Sequence, residues 1–206
     1  MIKIKLAIIL IACLTNVTYS ITKLNTIKIN TYFGEQSQTF LTTNDMTIKC
    51  KFTKGIKLST NFDLTQLPAN IHLGLVFANS SITGQSSTKS QKISVNETRF
   101  ELGFKKNYHW KWLQNLSWTT DNFNFFYGAG LHYGMYHLND NYMKIDTNKN
   151  KTSWYLVHGT ERYFSKESRW FISSSTQYNS SKIEFDKNYS LTQRLNFELG
   201  IGYNIP

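Results

Sequence analysis

Every odd position from Phe123 to Met135 is aromatic or aliphatic: Phe123, Phe125, Tyr127, Ala129, Leu131, Tyr133 and Met135. The even positions carry Asn124, Gly128, Gly130, His132 and Gly134, with Phe126 and Tyr136 as the exceptions. Successive side chains leave a β-strand on opposite faces, so a period of two over this length specifies a strand with one apolar face. The device recurs at the end of the chain. There Leu191, Leu195, Phe197, Leu199, Ile201, Tyr203 and Ile205 alternate with Thr192, Arg194, Asn196, Glu198, Gly200, Gly202 and Asn204. Ile71, Leu73, Leu75 and Phe77 alternate with Asn70, His72, Gly74 and Val76. Phe100, Leu102 and Phe104 alternate with Arg99, Glu101, Gly103 and Lys105, and Met46, Ile48, Cys50 and Phe52 with Thr47, Lys49, Lys51 and Thr53.

Alternation alone does not say what the apolar face touches, because a soluble sandwich alternates too. Repetition is more telling: dyad segments of about ten residues, separated by polar turns, are the signature of a transmembrane β-barrel. Lipid accepts the apolar face, a polar lumen accepts the other, and closure satisfies the backbone inside the bilayer. Composition agrees, with 15% aromatic and 17% charged residues and two prolines. Tyr, Phe, Trp and Thr favour pleated surfaces, and a disordered chain would lack these aromatics.

The expected fold is therefore all-β, an antiparallel up-and-down transmembrane β-barrel. Strands are predicted over 70–80, 97–108, 123–138, 153–164, 168–178 and 191–205, with two to four more between Ile27 and Phe62. Even parity favours eight or ten, and eight fits the length best. Side chains just fill an eight-stranded interior, so no open pore is expected. Glycines 128, 130, 134, 200 and 202 would make room there for larger neighbours.

Connection lengths orient the barrel. Ser165 to Ser168 makes a tight turn, whereas 81–96, 139–152 and 179–190 read as long, polar, lysine-bearing loops. If the last strand ends in the periplasm, all three long loops fall outside, the outer-membrane arrangement. Trp110, Trp112 and Trp118 then flank a periplasmic turn and Trp170 follows another. Together they form an aromatic girdle at the interface, where the ring is apolar and the N–H needs a wet partner.

Residues 1–20 read as a cleaved signal peptide and 21–206 as one barrel domain. Lys3 and Lys5 precede an apolar run from Leu6 to Leu14, and Thr18 and Ser20 are small enough for cleavage. Within the leader, Leu10 to Cys13 reads "LIAC", a lipobox-like alternative in which Cys13 is acylated. Removing Lys3 and Lys5 lowers the formal net charge from +10 by two. Cys50 is then the only cysteine, which excludes an intrachain disulfide.

"FFYGAGLHYG" resembles the aromatic-Gly-x-Gly strand, and "FELGIGYNI" the closing strand, of small Gram-negative outer-membrane barrels of the OmpA/OmpX and opacity-protein type. The resemblance implies residence in the bacterial outer membrane and surface loops that act in adhesion, surface interaction or envelope integrity. Such closing strands end in an aromatic preceded by apolar residues two, four and six positions earlier. Tyr203, Ile201 and Leu199 keep that spacing, but Ile205 takes the aromatic's place and Pro206 follows it.

With this register His72, Arg99, Glu101, Lys105, His132, Arg194 and Glu198 point inward, and buried charges need partners. A lumen network of these residues is the structural expectation, and a catalytic Glu–His arrangement is its rival. Around His158 the alternation breaks, because Trp154 and Leu156 compete with Tyr155 and Val157, so no face follows for it. Barrel-borne lipid A deacylases offer a specific enzyme comparison through their His-x-Ser pair. The comparable stretch here has Gln177 near the histidine's place and Asn179 near the serine's, leaving no general base. No enzyme activity, cofactor or metal site is expected. The positive charge is dispersed, which suits lipopolysaccharide or surface ligands met through the three loops better than nucleic acid. A monomer is expected. The main alternative is a secreted, soluble, lipocalin-like barrel holding an apolar ligand. It would put the large side chains inside, and the seven Asn-x-Ser/Thr triplets, at Asn16, Asn79, Asn96, Asn115, Asn150, Asn179 and Asn188, would suit it.

Overall fold

The computed structural model describes residues 21–40, 53–64, 69–85, 90–108, 122–140, 145–185 and 189–206, and every regular element in them is a strand. The strands are β1 (Ile21–Phe40), β2 (Thr53–Leu64), β3 (Asn70–Gln85), β4 (Ser90–Tyr108), β5 (Phe123–Asp140), β6 (Ile145–Tyr163), β7 (Trp170–Glu184) and β8 (Tyr189–Asn204). They pair in chain order into one closed antiparallel barrel of eight strands. β1 returns to β8, from Thr26 opposite Asn204 to Phe40 opposite Tyr189. Closure removes the sheet edges that could not survive in lipid.

The two faces of the sheet reverse the pattern of a soluble protein. Outward-facing Ile29, Leu131 and Phe104 are 59%, 55% and 53% exposed, whereas inward-facing Arg99 and Lys57 are 0% and 2% exposed. A soluble barrel with an apolar ligand would show the opposite arrangement, so the lipocalin-like reading is set aside. The apolar belt is bounded by aromatic pairs. Trp170 packs against Tyr203 at 4.9 Å near the chain termini, and Trp154 against Tyr178 at 5.7 Å toward the other end. Beyond Trp154, the outward residues of β6 are Thr152, Asn150, Asn148 and Asp146, where the surroundings no longer select apolar side chains.

The two exceptions in the β5 pattern are inner plugs. Phe126 and Tyr136 are buried in the lumen, and glycines clear space for such rings. A Cβ on Gly134 would run into the Tyr136 ring, and one on Gly130 would stand 2.7 Å from the Tyr155 hydroxyl. Gly202 clears the same kind of space for Phe171.

The expected long loops are corrected. In 81–96, Ser81 pairs with Ser94 and the ladder continues to Gln85 opposite Ser90. In 139–152, Asp140 pairs with Ile145, and residues from 145 onward belong to β6. In 179–190, β7 runs to Glu184, which pairs with Ser190. These segments are paired hairpin arms that project past the belt; on β7 the buried Ile183 alternates with exposed Lys182 and Glu184, so there the apolar residues face inward and the polar ones outward. The alternating stretch Met46 to Phe52 lies outside the described residues, as do residues 1–20.

Candidate functional site

Alternate residues of all eight strands meet in the lumen, where two charged clusters form. Near the chain termini, Lys28 Nζ of β1 and Lys105 Nζ of β4 both donate to Oε1 of Glu161 on β6, each at 2.5 Å. The same ammonium groups lie 4.9 and 3.8 Å from the centroid of the Phe126 ring. Its π face offers partial negative charge that helps offset the second cation.

The central cluster is larger. Lys57 Nζ lies 2.7 Å from Glu101 Oε2 and 2.8 Å from Glu198 Oε1. Arg99 bridges Glu101 at 3.0 Å and Glu97 at 3.1 Å, and donates to the Tyr32 hydroxyl at 3.2 Å. Gln177 donates to Glu101 at 2.9 Å and to Asn179 at 3.0 Å, and accepts from Lys57 at 3.2 Å. Glu198 accepts further bonds from Asn30 and Ser175. Across the two clusters Lys28, Lys57, Arg99 and Lys105 face Glu97, Glu101, Glu161 and Glu198, so charge balances within the buried space. Balance and hydrogen bonding are the conditions under which ions stay ionised away from water.

The interior has little free room. Lys28, Lys57, His72, Lys105, Tyr155 and Glu198 are among the residues that line a cavity of about 20 Å³, space for roughly one water. Toward the hairpin arms Val95, Tyr136, Leu138, Ile183, Phe185 and Leu191 form an apolar cluster across the lumen. Polar packing therefore fills the middle and apolar packing fills the far end.

Of the residues the sequence places inward, Arg99, Glu101 and Glu198 meet in the central cluster. His72 joins its margin, with Nδ1 2.9 Å from Asn61 Oδ1 and Nε2 3.9 Å from Glu101, too long for a hydrogen bond. His132 is buried and stacks on Tyr155 at 6.3 Å. The side chain of Arg194 lies outside the described residues, and so do Trp110, Trp112 and Trp118. Trp170 stands on the outer face beside Tyr203. His158 is exposed on the outer face, opposite Thr176 of β7.

Sequence reasoning left Lys28, Lys57, Glu97, Glu161 and Gln177 out of the network. Strict parity would have found two of them, since Lys28 sits between Ile27 and Ile29, and Lys57 between Ile56 and Leu58. Gln177 and Asn179, compared above with a catalytic pair, serve as lumen hydrogen-bonding groups. Among the described residues no group of three His, Cys, Asp or Glu side chains is placed to hold a metal ion.

Comparison with solved structures gives the architecture a context. The chain is similar to the outer-membrane protein OprG from Pseudomonas aeruginosa, with a TM-score of 0.64 and 9% identity over 90% of this chain and 97% of that one. It is also similar to Neisserial surface protein A, with a TM-score of 0.52 and 8% identity over 88% of this chain and 97% of that one. The fold is that of a small outer-membrane β-barrel. No protein-family model matches the sequence, and no curated protein does.

Proposed function

We propose that the chain is an integral outer-membrane barrel that works through the hairpin arms it projects from the surface, while its lumen serves as a plug and a brace. The observation that carries this reading is the contrast between the two ends of β5 and β6. Below Trp154 these strands present lipid-facing apolar residues and a packed interior. Above it they stay paired to Asp140 and Ile145, and past outward Tyr133 and Met135 the outer face turns polar, with His137 and Asn139 on β5 beside Asn148 and Asp146 on β6. A rigid polar projection offers backbone and side-chain contacts to molecules outside, and a filled lumen offers no passage. The similarity to a Neisserial surface protein fits this place, though not any particular ligand.

Export would follow cleavage of residues 1–20, and anionic lipopolysaccharide would meet the lysines of the arms. Two measurements test the proposal. Shortening the β3–β4, β5–β6 and β7–β8 arms together should abolish binding of expressing cells to host cells or serum proteins; unchanged binding sinks the surface role. A gene deletion that instead raises detergent sensitivity, with binding intact, would assign the barrel to envelope support. In planar bilayers the purified barrel should give no conductance steps, and stable open steps would refute the closed lumen.

A further inference from the structure

One part of the belt breaks the apolar rule. On the seam between β6 and β7, outward His158 stands opposite Thr176 and outward Thr160 opposite Ser174. His158 and Ser174 are exposed on the outer face, and Thr160 and Thr176 are half-buried there. Along β7 the outward positions from Trp170 to Tyr178 carry Trp, Ile, Ser, Thr and Tyr, so Ser174 is the midpoint between the two aromatic pairs that bound the belt. It stands roughly 13 Å along the strand from either pair, at about 3.3 Å per residue. These polar groups therefore lie at the depth of the hydrocarbon.

Outward hydroxyls elsewhere on the belt are satisfied within the barrel. Thr31 donates to the carbonyl of Leu199 at 2.8 Å, and Thr60 to that of Thr26 at 2.7 Å. The seam is different. Thr160 and Ser174 bond to each other at 3.0 Å, which uses one of their two O–H groups and leaves the other. Among the described residues no side-chain hydrogen bond reaches His158 or Thr176. Lipid tails supply no partner, so polar groups that face them are costly and are best satisfied by another protein surface.

The neighbouring strands give the seam its relief. Tyr127 and Phe125 of β5 stand opposite His158 and Thr160, and Phe197 and Leu199 of β8 opposite Thr176 and Ser174. The small hydroxyl residues thus form a low strip between taller apolar walls, where a second wall can approach closely.

We propose that this strip is an intramembrane contact between two copies of the chain, which replaces the monomer expected from the sequence. Hydrogen-bonding chemistry selects the occupant. A hydroxyl donates and accepts, and a neutral imidazole does both through its two nitrogens, so the strip is complementary to itself. An acyl chain could fill it but not bond to it. A two-fold axis along the membrane normal preserves depth, and passing through the seam it sets β6 of one copy against β7 of the other. His158 then meets the partner's Thr176, and Thr160 the partner's Ser174. Arg162, the cation beside the strip, falls against the partner's Ile172 and not against its own equivalent, so no like charges are forced together. Pairing would set two sets of arms side by side, a bivalent surface for any ligand the arms bind; the contact itself does not depend on such a ligand.

Cysteine cross-linking of the refolded barrel in lipid vesicles tests the contact. In a Cys50→Ser background, Ser174→Cys should form a covalent dimer on mild oxidation. Leu73→Cys, outward on β3, should not. Energy transfer between donor- and acceptor-labelled copies, followed as lipid is added, then measures the equilibrium. His158→Leu/Thr176→Val gives the strip side chains that lipid accepts, so heat-modifiable migration should be unchanged while the dimer dissociation constant rises about tenfold or more. Ser174→Cys that cross-links no better than Leu73→Cys overturns the proposal, and this comparison decides the matter even if the double variant misfolds. Energy transfer undiminished in a folded double variant also overturns it. Cross-linking of Ser174→Cys to a different protein in native outer membranes, without a self-dimer, overturns the choice of a second copy.

Discussion

Lys28 and Lys105 share one carboxylate, Glu161, whereas Lys57 and Arg99 are spread over Glu97, Glu101 and Glu198. Both clusters are buried among strands far apart in sequence, so both tie the barrel together across its interior. They differ in redundancy. Every cation of the central cluster keeps a second carboxylate if one is lost, but the terminal cluster has a single anion and an aromatic face. Buried ions tolerate replacement of the whole set far better than removal of one partner, so this difference should govern how each cluster fails.

The largest effect is expected from Glu161→Gln, which leaves two buried ammonium groups without an anion. It should destabilise the refolded barrel by about 3–5 kcal/mol, read as the urea midpoint in lipid vesicles. Glu101→Gln should cost less, about 1–3 kcal/mol, because Lys57 retains Glu198 and Arg99 retains Glu97. If the two variants unfold at the same urea concentration, redundancy does not distinguish the clusters. Phe126→Leu sharpens the comparison from the aromatic side. It removes the ring beneath Lys105 and Lys28 and should cost about 1–2 kcal/mol; adding it to Glu161→Gln should cost more than the sum, since each partly compensates for loss of the other.

The sequence carries these features unevenly, for a physical reason. Alternation is written only where one face meets lipid and the other does not, so the belt portions of β3, β4, β5 and β8 are legible from parity. Above the belt the outward face meets water and becomes polar while buried Leu138, Ile183 and Phe185 face inward, so the lipid-facing apolar row that marks a strand is lost and the segments 81–96, 139–152 and 179–190 look like loops. On β6 the opposite happens: inward Tyr155 and Val157 are as apolar as outward Trp154 and Leu156. That hides the face of His158, and with it the inward placement of Glu161 beside outward Arg162. The partners of a lumen charge are less legible still, because closure brings together Lys28 and Glu161, residues whose meeting depends on the whole strand order. Register along one strand can be read locally; contact across the lumen cannot.

The end of the β6–β7 ladder gives the smallest expected effect: these strands pair from Tyr163 opposite Phe171 up to Tyr155 opposite Asn179, and the β7–β8 register shifts at a bulge between Tyr178 and Ser181. Ser180→Ala removes the hydroxyl that occupies both backbone groups of Trp154, at a position the barrel exposes to solvent at its outer face. Water can replace an exposed partner, so global stability should change by less than about 1 kcal/mol. Local opening should respond more. Among the described residues the Trp154 amide is the last one the β7 side secures on β6, and without Ser180 its hydrogen exchange should accelerate, with little change at Leu156, which sits within the paired ladder opposite Tyr178. If the Trp154 amide exchanges at the same rate in both proteins, Ser180 does not hold the end of this seam, and the bulge between Tyr178 and Ser181 alone sets where the two strands part.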